Sequence, residues 1–273
     1  TQRQRAGKRR DRRLTRWRLK MLAIAVSAAG VIPTVPVGPA GLPMPLVSLG
    51  TGSGQHGDVA NATATWLQVG GSGIDTAYIY NDEASIAAGV KAVGASWGSI
   101  FLTTKIRCTT TQAAKADVAS NLRSLGVGRV DLLLIHSPRP WTVGTSRCSV
   151  AETWAVLEEA QAAGQARSIG VSNFRIADLE MLAATAKVRP AVNQCSHSVS
   201  YHDDATAAYC EQRGIVYEAY SPLCGGANGS SCDHGSVLSI PLVQQIAIAH
   251  GVSAAQVGRR CSTSCSTVLS SRC

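Results

Sequence analysis

Val130-Asp-Leu-Leu-Leu-Ile-His136 is the stretch on which the fold turns. Five of its first six residues are apolar, and they do not alternate with polar ones. A strand with one face in water would alternate, and a helix needs a longer stretch to bury a stripe. A short continuous apolar run suits a strand covered on both faces. The run stops on an imidazole.

The same grammar recurs on either side of it. Ser99–Thr104 (SIFLTT) stops at Lys105, Gly73–Ala77 (GIDTA) carries Asp75, and Ser168–Val171 (SIGV) runs into Ser172 and Asn173. Ala191–Asn193 (AVN) precedes Gln194, and Ile215–Tyr220 (IVYEAY) precedes Ser221. Val47–Leu49 reads as part of an opening hairpin. Helices fill the intervals. Ser149-Val-Ala-Glu152 is a capping box that opens a helix through Ala163, closed by Gly164. Ala113–Leu125 ends at Gly126, and Ala205–Arg213 ends at Gly214. Helix, glycine, strand, repeated, predicts a parallel α/β fold. Polar side chains stand at the carboxyl end of strand after strand. In a (β/α)8 barrel those ends meet at one mouth; in an open sheet they would spread along a line. The barrel is the reading preferred. A dinucleotide fingerprint at Gly50-Thr-Gly52-Ser-Gly54 is set aside, because its third glycine comes too early and Gln55-His-Gly57 delays any helix.

The net charge of +9 looks like a nucleic-acid signal until it is located. Residues 1–20 hold ten of the 26 Lys and Arg and a single acid, Asp11; the remaining chain carries sixteen charges of each sign. No basic face on the folded part is implied, so nucleic acid is not an expected partner. The twelve-residue apolar run Met21–Ile32 that follows is short for a spanning helix, which needs about 20 apolar residues, but suits the apolar region of a secretory signal. Ser27, Ala28 and Ala29 offer a cleavage site. An organelle transit peptide, a marginal anchor, and a mis-joined leader (the chain opens on Thr1) are the alternatives. Membrane contact is expected at most through residues 1–33. The location follows: secretory pathway or organelle if that arm is genuine, cytoplasm otherwise. Nine cysteines form no paired C-x-x-C knuckles, so no metal is expected. A Cys224–Cys232 disulfide is compatible with an oxidising compartment.

Taken in order, several segments resemble the aldo-keto reductases. They are Leu49-Gly-Thr-Gly52, Ile74-Asp-Thr-Ala-Tyr-Ile-Tyr80, Phe101-Leu-Thr-Thr-Lys105, Val130–His136, Glu152-Thr-Trp154, Ser168–Phe174, Pro190-Ala-Val-Asn-Gln194 and Ala219-Tyr-Ser-Pro-Leu223. The resemblance implies a (β/α)8 TIM-type barrel, monomeric, that binds NADP(H) and reduces a small carbonyl substrate to an alcohol. It maps the catalytic tetrad onto Asp75, Tyr80, Lys105 and His136. Elementary chemistry supports those roles: a phenol is a poor acid at neutral pH, with an ordinary pKa of about 10, and a nearby ammonium stabilises its phenolate. Lys105 serves Tyr80 in this way, Asp75 holds Lys105, and His136 orients the carbonyl or shares the proton transfer. The bland readings are a surface tyrosine, a strand-end lysine and a core histidine. By the same resemblance Ser172, Asn173 and Gln194 meet the nicotinamide carboxamide and Tyr220 stacks on its ring. Ser221 and Leu223 meet the pyrophosphate, and Gly50, Thr51 and Gly52 form the turn beneath the nicotinamide.

Two departures stand out. Ser137 occupies the place where many members have tryptophan, implying a wider or more polar pocket. The match also fails after Arg260, where eight of the thirteen residues from Cys261 to Cys273 are Ser or Cys. The domain reading is therefore a basic arm with an apolar segment at 1–33, a barrel at 34–260 and a divergent tail at 261–273. In it the last strand and helix are missing and two sheet edges lie exposed. The rival function is a catalytically silent barrel acting as a scaffold, for want of the C-terminal cofactor clamp. A glycosidase would need paired carboxylates at strand ends, where Asp75 is nearly alone.

Overall fold

The structure, a computed structural model, describes residues 31–52, 58–140, 147–224, 236–265 and 268–272. It divides into two compact units, Thr1–Pro33 and Thr34–Cys273. The leader readings for residues 1–30 lie outside the described residues, as do Gly54 and Cys232. Among the described residues, no helix is long and apolar enough to cross a membrane.

Eight parallel strands close into a barrel: β3 (Val47–Gly50), β4 (Gly73–Asp75), β5 (Phe101–Ile106), β6 (Val130–Ile135), β7 (Ala166–Ser172), β8 (Val192–Ser196), β9 (Val216–Tyr220) and β10 (Val268–Arg272). The helices are α1 (Val59–Gln68), α2 (Glu83–Ala92), α3 (Thr111–Leu125), α4 (Val150–Ala162), α5 (Ile176–Ala183), α6 (Asp204–Gln212), α7 (Pro241–His250) and α8 (Ala254–Cys265). The expected punctuation is in place. Ser149 Oγ accepts from the Glu152 N–H at 3.3 Å to start α4. Gly126 closes α3 in the left-handed region at φ 69°, where a Cβ is costly.

Two expectations are corrected. Val47–Gly50 is the first barrel strand, pairing in parallel with β4. The hairpin lies upstream, as β1 (Thr34–Val37) against β2 (Leu42–Pro45). The last barrel strand is not missing. Val268–Arg272 pairs with β3 on one side and β9 on the other, so neither barrel edge is exposed and this stretch of the tail is a barrel strand. Its Ser-rich composition argued against ordering. A strand inserted between two others, however, satisfies its backbone N–H and C=O groups whatever its side chains.

Alternation along the strands sorts the side chains into two cores. Leu102 and Ile106 of β5 join Ile74, Leu133, Ile135, Ile169, Val171 and Trp154 in the layer between strands and helices. The opposite faces of β5, β6 and β8 bring Phe101, Leu132, Leu134 and Val192 together with Val37, Leu42 and Met44 of the hairpin. This second cluster fills the amino-terminal half of the bore. Each such side chain contributes about 1.5–3 kcal/mol. The wall leaves no slack at Gly170 of β7. A Cβ there would stand 2.6 Å from the Val192 carbonyl oxygen and 2.8 Å from a Leu134 methyl. Gly170→Ala should therefore cost about 3 kcal/mol, at the upper end of overpacking penalties, because one of its obstacles is backbone. Urea unfolding measures it; an unshifted midpoint would show that β7 and β8 can separate freely.

Candidate active site

At the carboxyl-terminal mouth, Asp75, Lys105 and His136 project from the ends of β4, β5 and β6. Lys105 is 1% exposed, and its ammonium donates to Asp75 Oδ1 at 2.5 Å and to the Thr76 carbonyl at 3.0 Å. Burial is the largest single influence and would drive its proton off. The Asp75 charge, joined by Tyr80, the hydrogen bond to Asp75 and Glu218, outweighs it, so the net effect is to raise the lysine and keep it cationic. Tyr80 reaches the same point from the 3₁₀ turn Tyr78–Tyr80 after β4, which ends on Asn81 in the left-handed region. The Lys105 Nζ lies 5.3 Å from the Tyr80 ring centroid. The phenol oxygen is 3.4 Å from His136 Nε2, and the two rings meet edge to face. The four residues of the expected tetrad are thus brought together.

Of the expected cofactor group, Ser172, Asn173, Gln194 and Tyr220 form one connected network. Ser172 Oγ donates to the Gln194 carbonyl at 2.8 Å, and Asn173 Nδ2 donates to the His136 carbonyl at 2.9 Å. Tyr220 O–H donates to Asn173 Oδ1 at 2.7 Å. Gln194 Nε2 turns inward and donates to Asp75 Oδ2 at 2.8 Å. Both Asp75 oxygens are therefore held, one by a cation and one by an amide. Asn173 adopts φ 63°, a conformation asparagine tolerates better than most residues. Thr51 adds a hydroxyl and an N–H to the Asp75 carbonyl. Gly50 is buried and Leu223 half-buried at the same mouth.

Gly52 lets the phenol pack directly on the turn after β3: a Cβ there would stand 2.8 Å from the Tyr80 oxygen. Ser221 holds φ 54° and keeps a buried hydroxyl without a hydrogen-bond partner. Among the described residues, no cluster of three or more His, Cys, Asp or Glu is placed to hold a metal ion.

Two features escaped the sequence reading. A disulfide joins Cys108, in the loop after β5, to Cys148, in the loop after β6, with Cα atoms 5.0 Å apart; Cys224, which the sequence reading did offer for a disulfide, is disulfide-bonded as well. Asp75 also has carboxylate company: Glu218 of β9 is 1% exposed and lies in register with Gln194. The signal was present in the every-second-residue series Val216, Glu218, Tyr220, which puts the acid on the face of a residue already singled out.

Comparisons with known proteins give the chain its family. The model of the Aldo/keto reductase family matches residues 47–258. The chain is 35% identical over 224 residues to morphine 6-dehydrogenase of Pseudomonas putida, spanning 80% of this chain and 74% of that one. It is 32% identical over 206 residues to the glycerol 2-dehydrogenase (NADP(+)) of Saccharomyces cerevisiae, spanning 67% and 66%. The crystal structure of an aldo/keto reductase from Brucella melitensis superposes with a TM-score of 0.77 at 30% identity, covering 89% of this chain and 88% of that one. The chain belongs to the aldo/keto reductase family. It is an oxidoreductase working between carbonyl and alcohol.

Proposed function

We propose that the protein reduces a small aldehyde or ketone with NADPH, using Tyr80 as the proton donor. The observation that carries this reading is the placement of a buried, charge-balanced Lys105 against Tyr80, whose hydroxyl faces His136. A bound NADPH would supply the hydride. The phenol gives its proton to the developing alkoxide, and the Lys105 ammonium stabilises the phenolate left behind. Asp75 keeps Lys105 charged and aimed, while His136 Nε2 orients the carbonyl oxygen beside the phenol.

The unpartnered Ser221 hydroxyl fits a dinucleotide lying across the mouth from β3 to β9. Tyr220 and Leu223 would flank it, and Gly50 and Thr51 would form its floor. Ser172, Asn173 and Gln194 would fix the nicotinamide end. NADPH rather than NADH is favoured by the yeast relative, which carries NADP(+) in its name. Ser137, half-buried beside His136, leaves room for a polar substrate. The scaffold reading rested on the want of the C-terminal cofactor clamp; Val268–Arg272 fills the place of the last strand, which removes the structural part of that argument.

The Cys108–Cys148 bridge and the bonded Cys224 support maturation in an oxidising compartment, where disulfides persist. Residues 1–33 are the segment proposed to direct the chain there. A monomer is proposed, in keeping with a site built wholly from one chain.

Incubating the purified chain with NADPH and 4-nitrobenzaldehyde tests the function. Loss of NADPH absorbance that depends on both substrates is expected. No oxidation above background with this aldehyde or with a panel of ketones and sugars would overturn the reading.

A further inference from the structure

Glu218 has no part in the chemistry above, yet it sits directly beneath it. Val216, Glu218 and Tyr220 alternate onto the bore side of β9. Val216 packs on the interior apolar cluster, and Tyr220 reaches Asn173 at the mouth. Glu218 lies between these two levels, in register with Gln194 of β8 and Val268 of β10. Its Oε2 has no hydrogen-bond partner. Gln194 stands between two carboxyl groups, donating to Asp75 Oδ2 at 2.8 Å and bonding the Glu218 carboxyl. The charged groups that act on Glu218 are Asp75 from β4 and Lys105 from β5. β8 faces it with the neutral Gln194, and the β10 residue in register, Val268, carries no charge. One cation thus lies among two acids in a space closed to water.

We propose that Glu218 is a positioning residue for the proton-donor centre: as a neutral acid it leaves Asp75 and Lys105 as a balanced pair, and its ionisation places an unmatched anion beneath Lys105. The inference rests on the function proposed above. Burial, reinforced by the Asp75 charge, pushes the Glu218 carboxyl up to about 8, while Gln194 and Lys105 pull it back. At neutral pH the interior then holds one anion and one cation. As pH rises through that value a second anion appears, and forming a phenolate at Tyr80 adds a third. Proton donation by Tyr80 therefore becomes harder, and carbonyl reduction falls on the alkaline side.

Glu218→Gln keeps the shape and removes the titration. With NADPH and 4-nitrobenzaldehyde, kcat of this variant at neutral pH should stay within about threefold of wild type. In wild type the rate should begin to fall as pH rises through about 8, whereas the variant should lack that step and decline only at the higher pH where the proton donor itself ionises. A merely structural glutamate would change stability and leave the shape of the pH profile alone, so superimposable profiles would overturn the proposal. Infrared spectroscopy of the same two proteins provides a readout that needs no turnover. Wild type should show the C=O stretch of a buried carboxylic acid at neutral pH, lost at alkaline pH and absent from Glu218→Gln. If wild type reduces no carbonyl, the functional reading falls while the infrared band still decides the state of Glu218. Absence of that band from folded wild type would overturn the proposal even if Glu218→Gln does not fold.

Discussion

Tyr80→Phe should lower kcat for carbonyl reduction about a thousandfold and leave NADPH affinity within about twofold. The substitution removes one oxygen and nothing else that the fold uses. The ring keeps its edge contact with His136 at 5.4 Å and its place 5.3 Å from the Lys105 ammonium. The hydroxyl is the only proton on the ring that the site can give to an alkoxide. A thousandfold corresponds to about 4 kcal/mol of transition-state stabilisation, within the range that one positioned acid supplies. The loss should fall on kcat and kcat/KM alike, because the bond from the phenol strengthens only as the alkoxide forms. Steady-state rates combined with a fluorescence titration of NADPH separate the two terms. Turnover within threefold of wild type would remove Tyr80 from the chemistry. A matched loss of NADPH affinity would instead make it a binding residue.

Where the sequence was legible, the reason is local. Val130–Ile135 and Phe101–Ile106 are buried along nearly their whole length, and continuous apolar runs report that directly. Asp75, Lys105 and His136 stand at strand ends because a parallel barrel gathers its polar termini at one mouth. What stayed hidden depended on partners distant in sequence. The β1–β2 hairpin carries Pro36, Pro43 and Pro45, and proline in a run argues against a central strand; a two-stranded ribbon tolerates it because each strand has a free edge. Val268–Arg272 looked like low-complexity tail, since nothing in VLSSR announces that β3 and β9 wait on either side of it. Glu218 was masked by the strand in which it sits. The Cys108–Cys148 pairing was invisible because spacing along the chain says nothing about which βα loops lie side by side.

That bridge carries the second large expected effect. Cys148→Ala should lower the unfolding free energy by about 4 kcal/mol, with a fall of about 10 °C in Tm for a domain of this size. The argument begins with the unfolded chain, where a link across a sequence separation of 40 residues removes many open conformations. Breaking it restores that entropy to the unfolded state. The folded state should change little, because the two loops are fixed by other bonds. Arg107 grips Asp117 through Nε and Nη2 at 2.9 and 2.7 Å. Thr109 and Thr153 exchange hydrogen bonds at 3.0 and 2.9 Å, tying the β5–α3 loop to α4. Cys108 keeps its sulfur in a site that is 2% exposed, so this single variant isolates the cross-link from the packing. A loss of 4 kcal/mol is large beside the roughly 5–15 kcal/mol that holds a typical domain folded. Reversible urea unfolding of oxidised wild type and Cys148→Ala gives the difference, and Cys108→Ala/Cys148→Ala should add only the cost of the missing sulfur. Equal midpoints for wild type and Cys148→Ala would mean that the loops stay together in the unfolded chain without their bond.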